Sequence, residues 1–232
     1  MILLVTCGIL FTGYSLLVLY YWYNWKNIPV FVADEKNQQT RFSIVIPARN
    51  EAANIGRLLK ALQEQSYPAS LFEIIVVDDH SEDDTAAIVQ QFPSVHLILL
   101  RASEINSYKK KAIETGIDAA TGEWIITTDA DCIPTADWLQ TIASFAAKKG
   151  AVFIAAPVYM QNNGSLLQLF QAMDFMILQA ITGAVVHKKQ LTMCNGANLA
   201  YSKKVFEEVG GFSGIDKIAS GDDMLLMYKI WK

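Results

Sequence analysis

Two pairs of aspartates in this chain each follow a short apolar run. Asp78 and Asp79 end a run rich in Ile and Val, and Asp129 and Asp131 end a second run rich in Ile and Thr. Such runs are typical of buried strands in a parallel sheet, whose ligands bind beyond the carboxyl ends of the strands. Carboxylates gathered there repel one another unless a cation lies among them, and Mg²⁺ typically takes one or two carboxylates plus substrate phosphates. The pattern therefore predicts a metal-dependent enzyme acting on a phosphate-containing substrate, most simply a nucleotide.

Each of these signals also has a simpler interpretation. An isolated Asp-x-Asp is often a solvated turn, and Asp79 could cap the helix that follows it. Haloacid-dehalogenase-type phosphatases also carry Asp-x-Asp, but after their first strand and with Thr or Val where this chain has Ile133. Lys109 begins a run of three lysines that could be a solvated face, although one of them could reach a diphosphate.

Strand and helix patterns alternate from residue 42 onwards. Strands are predicted at 42–46, 72–77, 95–100, 123–128 and 151–156, and helices at 50–65, 81–91, 109–120, 137–147 and 222–231. Pro47 is expected to end the first strand. The alternation predicts a doubly wound α/β fold with a mixed, mostly parallel sheet flanked by helices. Neither Gly-x-Gly-x-x-Gly nor a Walker A sequence occurs, which argues against a Rossmann dehydrogenase and a P-loop NTPase.

The first 23 residues carry no charged side chain, and about 20 apolar residues are enough to span a bilayer. Tyrosines and tryptophans and then Lys26 follow, as at a membrane–water interface. A signal peptide would begin with basic residues, which are absent here. The sequence therefore predicts one transmembrane helix at 1–25, a linker at 26–40 and a catalytic domain at 41–232.

A second apolar stretch, residues 165–186, carries Gln168, Gln171, Asp174 and Gln179. Such polar residues argue against a spanning helix. The favoured interpretation is an amphipathic helix packed on the catalytic domain, and the alternative is a helix at the membrane face.

The net charge of −4 argues against a nucleic-acid partner, which would favour a basic patch. The three cysteines, at 7, 132 and 194, form neither an even disulfide framework nor a metal-ligand spacing, so we expect free thiols.

Several ordered motifs together resemble those of family 2 glycosyltransferases. They are the opening strand and Pro-x-x-Asn-Glu loop at 42–51, the Val-Asp-Asp-x-Ser nucleotide motif at 76–81, the metal-binding Asp-x-Asp at 129–131, the acceptor-side segment at 195–198 with 208–212, and the Glu-Asp motif at 222–223. Asp222 stands where that last motif has Glu. The resemblance extends from residue 42 to the C-terminus.

The resemblance implies a GT-A fold that transfers a sugar, with inversion, from a nucleotide-sugar donor to a hydroxyl of a carbohydrate or lipid-linked acceptor. It places Mg²⁺ or Mn²⁺ on Asp131, where the ion would stabilise the leaving diphosphate, and it makes Asp223 the general base. The implied donor-side residues are Pro47, Ala48, Asn50, Glu51, Asp78, Asp79, Lys109 and Asp129. The implied acceptor-side residues are Asn195, Gly196, Ala197, Asn198 and Asp222. Lys109 best fits the family's Gly-Lys position although Tyr108 replaces the glycine, and Lys110 is the alternative.

The chain ends soon after Asp223, without the later Gln-x-x-Arg-Trp segment of processive polysaccharide synthases. We therefore expect a C-terminally truncated domain, with a role in cell-envelope glycan or glycolipid synthesis and a single-pass location in the cell (inner) membrane. The catalytic domain is expected on the cytoplasmic side. Two alternatives stay open: a non-catalytic, membrane-tethered binder of sugar nucleotides, and a nucleotidyltransferase on a related α/β fold. The latter favours a glycine-rich loop after the first strand, which residues 47–51 lack.

Overall fold

A computed structural model describes residues 1–33, 39–100, 108–161, 164–190, 193–216, 218 and 220–232, with only the backbone of Tyr108. Two compact units emerge. We call residues 1–30 with 157–194 the helical unit, and residues 31–156 with 195–232 the sheet unit. The prediction placed all of 41–232 in one domain, whereas the structure groups 157–194 with the N-terminal segment. Of the predicted linker, residues 34–38 lie outside the described residues.

The sheet unit is built on six strands in the order β3-β2-β1-β4-β6-β5. Their bounds are β1 Phe42–Ala48, β2 Phe72–Asp78, β3 Val95–Leu99, β4 Trp124–Thr127, β5 Phe153–Ala155 and β6 Leu199–Ser202. The first four strands are mutually parallel, while β6 runs antiparallel to both of its neighbours. The predicted mixed, mostly parallel sheet is therefore confirmed.

Helices flank this sheet and account for most of the remaining regular structure. Their bounds are α1 Ile2–Lys26, α2 Ile55–Gln63, α3 Thr85–Val89, α4 Tyr108–Ala119, α5 Trp138–Lys149, α6 Leu166–His187, α7 Lys203–Glu208 and α8 Asp222–Trp231. The apolar face of α2 carries Leu58, Leu59 and Leu62, all fully buried in a core that also contains Ile44 and Ile46 of β1. This spacing of three and four residues is the pattern that predicted the helix.

Strand β1 passes through Pro47 instead of stopping before it. Pairing with β2 continues to Ala48 opposite Asp78. On the other side, β4 pairs with β1 only up to Val45, whose carbonyl accepts a hydrogen bond from Thr128 N at 3.4 Å. Since alternate residues of a strand point the same way, the nitrogen of Pro47 faces the side where β4 has already ended. The missing N–H therefore costs no ladder bond.

Strand β6 was not predicted. Its four residues are too short for a periodic pattern. Because β6 is antiparallel to β4, Leu199 pairs with Thr127, and the start of β6 lies at the carboxyl end of β4. This places residues 195–198 at the same sheet edge as Asp129 and Asp131.

The predicted helix from residue 50 begins later, at Ile55. Asn50 has a φ of 56°, in the left-handed region that no α-helix can use, and residues 52–54 form a turn. Similarly, α3 begins at Thr85 rather than 81. Both connections are longer than expected, and this length lets the two loops meet beyond the sheet edge.

Close packing of α4 and the turn before β4 depends on two glycines. A Cβ on Gly116 would lie 2.4 Å from Val45 Cγ1, and one on Gly122 would lie 2.7 Å from the backbone of Phe42 and Ser43. Gly122 N also donates to Ser43 Oγ at 2.8 Å. These contacts bring α4 directly against β1, near the edge of the sheet where Asp129 and Asp131 lie.

The helical unit consists mainly of α1 and α6. Both are long and apolar enough to cross a membrane, with mean hydropathies of 2.3 and 1.6. Only Ala184 and Val185 of α6 are buried, while Phe170 and Met176 are among its many exposed apolar side chains. The position of this helix, packed on the catalytic domain or at a membrane face, stays a prediction.

Candidate active site

A cleft of about 350 Å³ opens at the carboxyl ends of β1, β2 and β4. The predicted donor-side and metal residues that line it are Pro47, Ala48, Glu51, Asp79, Lys109, Asp129 and Asp131. Arg49, Ala112 and Ala130 complete the lining. The aspartates after β2 and β4 thus come together at one edge of the sheet, as the sequence predicted.

Lys109 and Asp129 form an ion pair inside this cleft, with Nζ 2.8 Å from Oδ1. Burial alone would lower the pKa of Lys109. The negative charges of Asp129, Asp222 and Asp223 outweigh that effect, and the pKa of Lys109 lies above its ordinary value. Lys109 is therefore a fixed positive charge with acidic groups on several sides.

Lys110, the alternative to Lys109, does not line the cleft. Its side chain is buried, and its ammonium donates to the carbonyl oxygens of Ile215 and Ser220, each at 3.0 Å, and of Ile218. The geometry therefore favours Lys109 as the lysine that faces a ligand.

Asp131 is exposed on the cleft wall, two residues beyond Asp129. Among the described residues, no group of three or more His, Cys, Asp or Glu side chains is placed to hold a metal ion. A site of one or two carboxylates completed by phosphate oxygens would still suit Mg²⁺ or Mn²⁺. The carboxylate oxygens of Asp131 and Asp129 are hard donors and fit that arrangement. The described residues do not form a closed cage of protein ligands around an ion.

Burial also raises the pKa of the neighbouring Cys132 thiol, and the charges of Asp129 and Asp131 act in the same direction. Cys132 is consequently held as a neutral thiol near the acidic wall.

Asp78 and Asp79 are both buried but differ in their surroundings. Asp78 Oδ1 accepts a hydrogen bond from Ser81 N at 2.8 Å, while its buried Oδ2 has no hydrogen-bond partner among the described residues. Asp79 lies 2.9 Å from His80 Nδ1 and 3.7 Å from Arg49. Asp79 is thus neutralised by its neighbours, and Asp78 keeps one acceptor unused.

Asn50 and Glu51 connect the loop after β1 to the loop after β2. Asn50 N donates to Ser81 Oγ at 2.9 Å, and Asn50 Oδ1 accepts from Glu82 N at 2.8 Å. Glu51 N donates to Thr85 Oγ1 at 2.7 Å. In this structure the side chain of Asn50 ties the two loops together and does not line the cleft, while Glu51 contributes to the lining.

The predicted acceptor-side residues form a short 3-10 turn, Gly196–Asn198, ahead of β6. Asn195 Oδ1 caps this turn by accepting from Ala197 N at 2.9 Å. Asn198 Oδ1 accepts from Trp138 Nε1 at 3.0 Å, which ties the turn to α5. These contacts fix the turn at the end of β4.

Asp223 binds this turn directly. Its Oδ2 accepts from Gly196 N at 2.9 Å, and its Oδ1 accepts from Met224 N at 2.6 Å. Burial raises the pKa of the adjacent Asp222, with a contribution from Asp223, while Lys109 opposes the shift. Asp222 and Asp223 thus lie near the positive charge that also neutralises Asp129.

Sequence reasoning assigned no role to Arg49 or Trp138, and it named Lys110 only as the alternative to Lys109 at the donor site. Arg49 could have been found from its place inside the Pro-x-x-Asn-Glu loop. The contacts of Trp138 and Lys110 join segments that are distant in sequence, so no local pattern could have indicated them.

With this geometry established, the chain can be compared with known proteins. The family model for glycosyl transferase family 2 matches residues 43–210. The chain therefore belongs to glycosyltransferase family 2, as its motifs suggested.

Three comparisons describe its relatives. Glycosyltransferase AglE of Haloferax volcanii is 30% identical over 190 residues, which cover 78% of this chain and 58% of AglE. The mannosyltransferase PcManGT from Pyrobaculum calidifontis, solved in complex with GDP-Man and Mn²⁺, superposes with a TM-score of 0.68 at 26% identity, covering 92% of this chain and 59% of PcManGT. Residues 1–349 of S. aureus TarS, solved with UDP-GlcNAc, share the fold at 20% identity and a TM-score of 0.61, over 82% of this chain and 53% of that one. The chain spans about half the length of the curated relatives it matches.

Proposed function

We propose that this chain is the catalytic part of a membrane-anchored, inverting glycosyltransferase. It moves a sugar from a nucleotide-sugar donor to a hydroxyl of a carbohydrate or lipid-linked acceptor, in cell-envelope glycan or glycolipid synthesis. The observation that carries the proposal is the cleft in which Lys109, Asp129 and Asp131 meet beyond the parallel strands. A ligand that neutralises this mixture of charges must itself carry anionic oxygens and bring a cation, as a nucleoside diphosphate with its metal does.

Asp131 is the proposed holder of Mg²⁺ or Mn²⁺, with Asp129 next to it on the donor side. The bound ion would supply Lewis-acid stabilisation of the leaving diphosphate. Lys109 would contribute a positive charge to the same phosphates, since its ammonium is already fixed within the cleft. The complex of the related PcManGT with GDP-Man and Mn²⁺ supports the use of a divalent cation with a nucleotide sugar.

Asp78 is the proposed contact to the nucleoside. Its side chain is 4% exposed, and its Oδ2 is buried without a hydrogen-bond partner among the described residues. A buried acceptor without a donor is unfavourable, so a ligand N–H or O–H at this point would gain a charge-assisted hydrogen bond. A base N–H or a ribose hydroxyl offers such a donor.

Asp223 is the proposed general base. It lies at the start of α8 and holds the turn at Gly196, so its carboxylate has a defined position relative to the acceptor side. A carboxylate oxygen keeps a second lone pair after it accepts one backbone N–H, and that lone pair can take the acceptor hydroxyl proton. Asp222 is the second candidate because burial raises its pKa.

Helix α1 is the proposed membrane anchor, with the catalytic part on the cytoplasmic side. The most apolar 18-residue stretch of α1 has no buried residue. Its C-terminal end carries Trp22, Trp25 and Lys26, which are typical of a membrane–water interface. Within the helical unit, α6 meets this end: the Tyr20 hydroxyl lies 2.6 Å from Gln190 Oε1, and Gly183 adjoins Trp25. We propose that α6 meets the membrane face beside this end of α1.

The decisive experiment is a transfer assay on the full-length protein in membranes, with a panel of nucleotide sugars, Mn²⁺ or Mg²⁺, and an EDTA control. We expect metal-dependent transfer from one donor class. Metal-dependent binding without transfer would instead indicate a non-catalytic sugar-nucleotide binder, and incorporation of the nucleotide into the product would indicate a nucleotidyltransferase.

A further inference from the structure

Lys110 is a buried lysine that faces neither solvent nor the cleft. The residue is only 3% exposed, and its Nζ donates to the carbonyl oxygens of Ile215, Ile218 and Ser220. An ammonium group has three N–H donors, so each one has a carbonyl acceptor. Burying a charge so completely is unfavourable unless such partners are fixed in place.

The three acceptors belong to a segment that we call the carbonyl loop, residues 210–216, 218, 220 and 221. Its first part is held in the same way by a second lysine. Lys229 of α8 donates to Gly211 O at 2.6 Å and to Ser213 O at 2.8 Å, with Gly210 O at 3.4 Å. The described loop residues lie outside α7 and α8, and the two ammonium groups add to the few backbone turns that the loop forms, such as Ser213 N to Gly210 O at 3.0 Å and Ile218 N to Ile215 O at 3.2 Å.

The carbonyl loop leads directly into Asp222 and Asp223. Gly221, the residue before them, has a φ of 73°, and α8 begins immediately afterwards. The direction in which α8 starts therefore depends on how the end of the loop is held. Lys110 holds that end through the carbonyl oxygen of Ser220. Lys110 lies on α4, directly after Lys109, which binds Asp129.

We propose that Lys110 is a positioning residue: by fixing the carbonyl loop to α4, it sets the place of Asp222 and Asp223 relative to Lys109 and Asp129. This inference rests on the proposed transferase function. Two adjacent residues of α4 then have different roles. Lys109 contacts the donor side of the site, and Lys110 fixes the backbone that leads to Asp222 and Asp223 on the acceptor side. Displacement of a catalytic group by about 1 Å can cost on the order of 100-fold in rate.

A general stabilising role for Lys110 predicts something different. Loss of a stabilising contact would lower the melting temperature without a selective effect on turnover. A positioning role predicts a lower kcat at an unchanged donor KM, because the donor side keeps Lys109, and it predicts faster backbone hydrogen exchange in the segment 210–224.

The test compares Lys110→Met with Lys110→Gln in the full-length protein, with Lys111→Met as the matched control. Lys111 is the next residue and pairs with Glu114 at 3.1 Å on the surface. We expect Lys110→Met to lower kcat by about 10- to 100-fold with the donor KM within about twofold. Lys110→Gln keeps two N–H donors and should lose less. Lys111→Met should match the parent.

Hydrogen exchange, measured by mass spectrometry on the same three variants, should accelerate at 210–224 in Lys110→Met but not in Lys111→Met. If Lys110→Met does not fold, Lys110→Gln and Lys229→Met replace it, since Lys229 is partly exposed. Parental kcat together with parental exchange would overturn the proposal, and so would equal losses in kcat and in donor binding. If the parent protein transfers no sugar, the proposed function fails, and the exchange measurement alone then decides whether Lys110 holds the loop.

Discussion

Lys109 Nζ and Asp129 Oδ1 are 2.8 Å apart, which joins the first turn of α4 to the residue that follows Thr128 beyond β4. The two side chains are 43% and 38% exposed, so the pair is open to a ligand rather than sealed in the core. Lys109 also feels the charges of Asp222 and Asp223. One ammonium group thus lies among carboxylates from both halves of the site.

Removal of this ammonium should weaken binding of a nucleoside diphosphate. We expect Lys109→Met to lose about tenfold or more in affinity, because a hydrogen bond to a charged group contributes about 1.5–3 kcal/mol. Isothermal titration calorimetry on the full-length protein measures the effect, with Lys111→Met as control. Parental affinity in Lys109→Met would exclude Lys109 from the donor site.

Asp131 is expected to carry the metal dependence of binding. Asp131→Asn should leave the melting temperature unchanged, since the side chain is exposed, but should reduce the gain in nucleotide affinity that Mn²⁺ provides. The measurement is calorimetry with and without Mn²⁺, and Asp118→Asn, an exposed carboxylate on α4, serves as control. If Mn²⁺ strengthens binding equally in the variant and the parent, the ion is held elsewhere.

Glu73 gives the sheet unit a specific pH dependence. Burial would raise the pKa of Glu73, but hydrogen bonds from Ser43, Thr121 and the Gly122 backbone more than offset this, and the pKa lies below its ordinary value. The folded state therefore binds a proton less readily than the unfolded chain. Its stabilisation is present above the unfolded pKa of about 4.3 and is lost as the pH falls through the lower folded value.

We accordingly expect Glu73→Gln to melt about 2 °C below the parent at pH 7, with the difference shrinking below about pH 4. Differential scanning calorimetry across this range measures it. Glu207→Gln, which changes an exposed carboxylate on α7, should show a flat difference. A Glu73→Gln difference that stays constant with pH would mean that the charge of Glu73 is not the cause.

The donor half of the site could be predicted because its information is local. Apolar runs indicate buried strands, and the residue after each run must lie at the carboxyl edge of a parallel sheet. That reasoning brought Asp79, Asp129 and Asp131 together, and the structure places all three on one cleft. Membership of glycosyltransferase family 2 followed from the same motifs.

The acceptor half depends on contacts between distant segments. The short strand β6 has no period to detect, although it brings Gly196 to Asp223. The carbonyls that hold Lys110 lie more than 100 positions further along the chain. For α6, the polar residues favoured packing on the catalytic domain, and most of its apolar side chains are exposed in the structure. Composition alone does not choose between a helix covered by protein and one that meets lipid.

The helical unit should hold the protein in the membrane. Helix α1 is 25 residues long, which at 1.5 Å per residue exceeds the roughly 30 Å of hydrocarbon. We expect the full-length protein to stay in the pellet after carbonate extraction of membranes. Removal of residues 1–30 should weaken attachment, and residual binding to vesicles would be due to α6. Complete release of the intact chain by carbonate would contradict an anchoring role for α1.

Asp223 should be essential for transfer but not for donor binding. Loss of a general base costs on the order of 10²–10⁴ in rate. A carboxylate that merely complements the start of α8 contributes about 0.3–1 kcal/mol to stability and almost nothing to rate. These magnitudes separate the two roles.

In the full-length protein, Asp223→Asn should therefore keep its nucleotide affinity and lose sugar transfer. Asn retains one oxygen that can accept from Gly196 N, so the turn ahead of β6 should persist, and loss of the bond from Met224 N should lower the melting temperature only slightly. The transfer assay is run beside Asp222→Asn, which leaves Asp223 in place, and beside the exposed control Asp118→Asn. Should Asp223→Asn transfer at the parental rate while Asp222→Asn is inactive, Asp222 is the base, a role for which the raised pKa that burial gives it makes it the stronger proton acceptor.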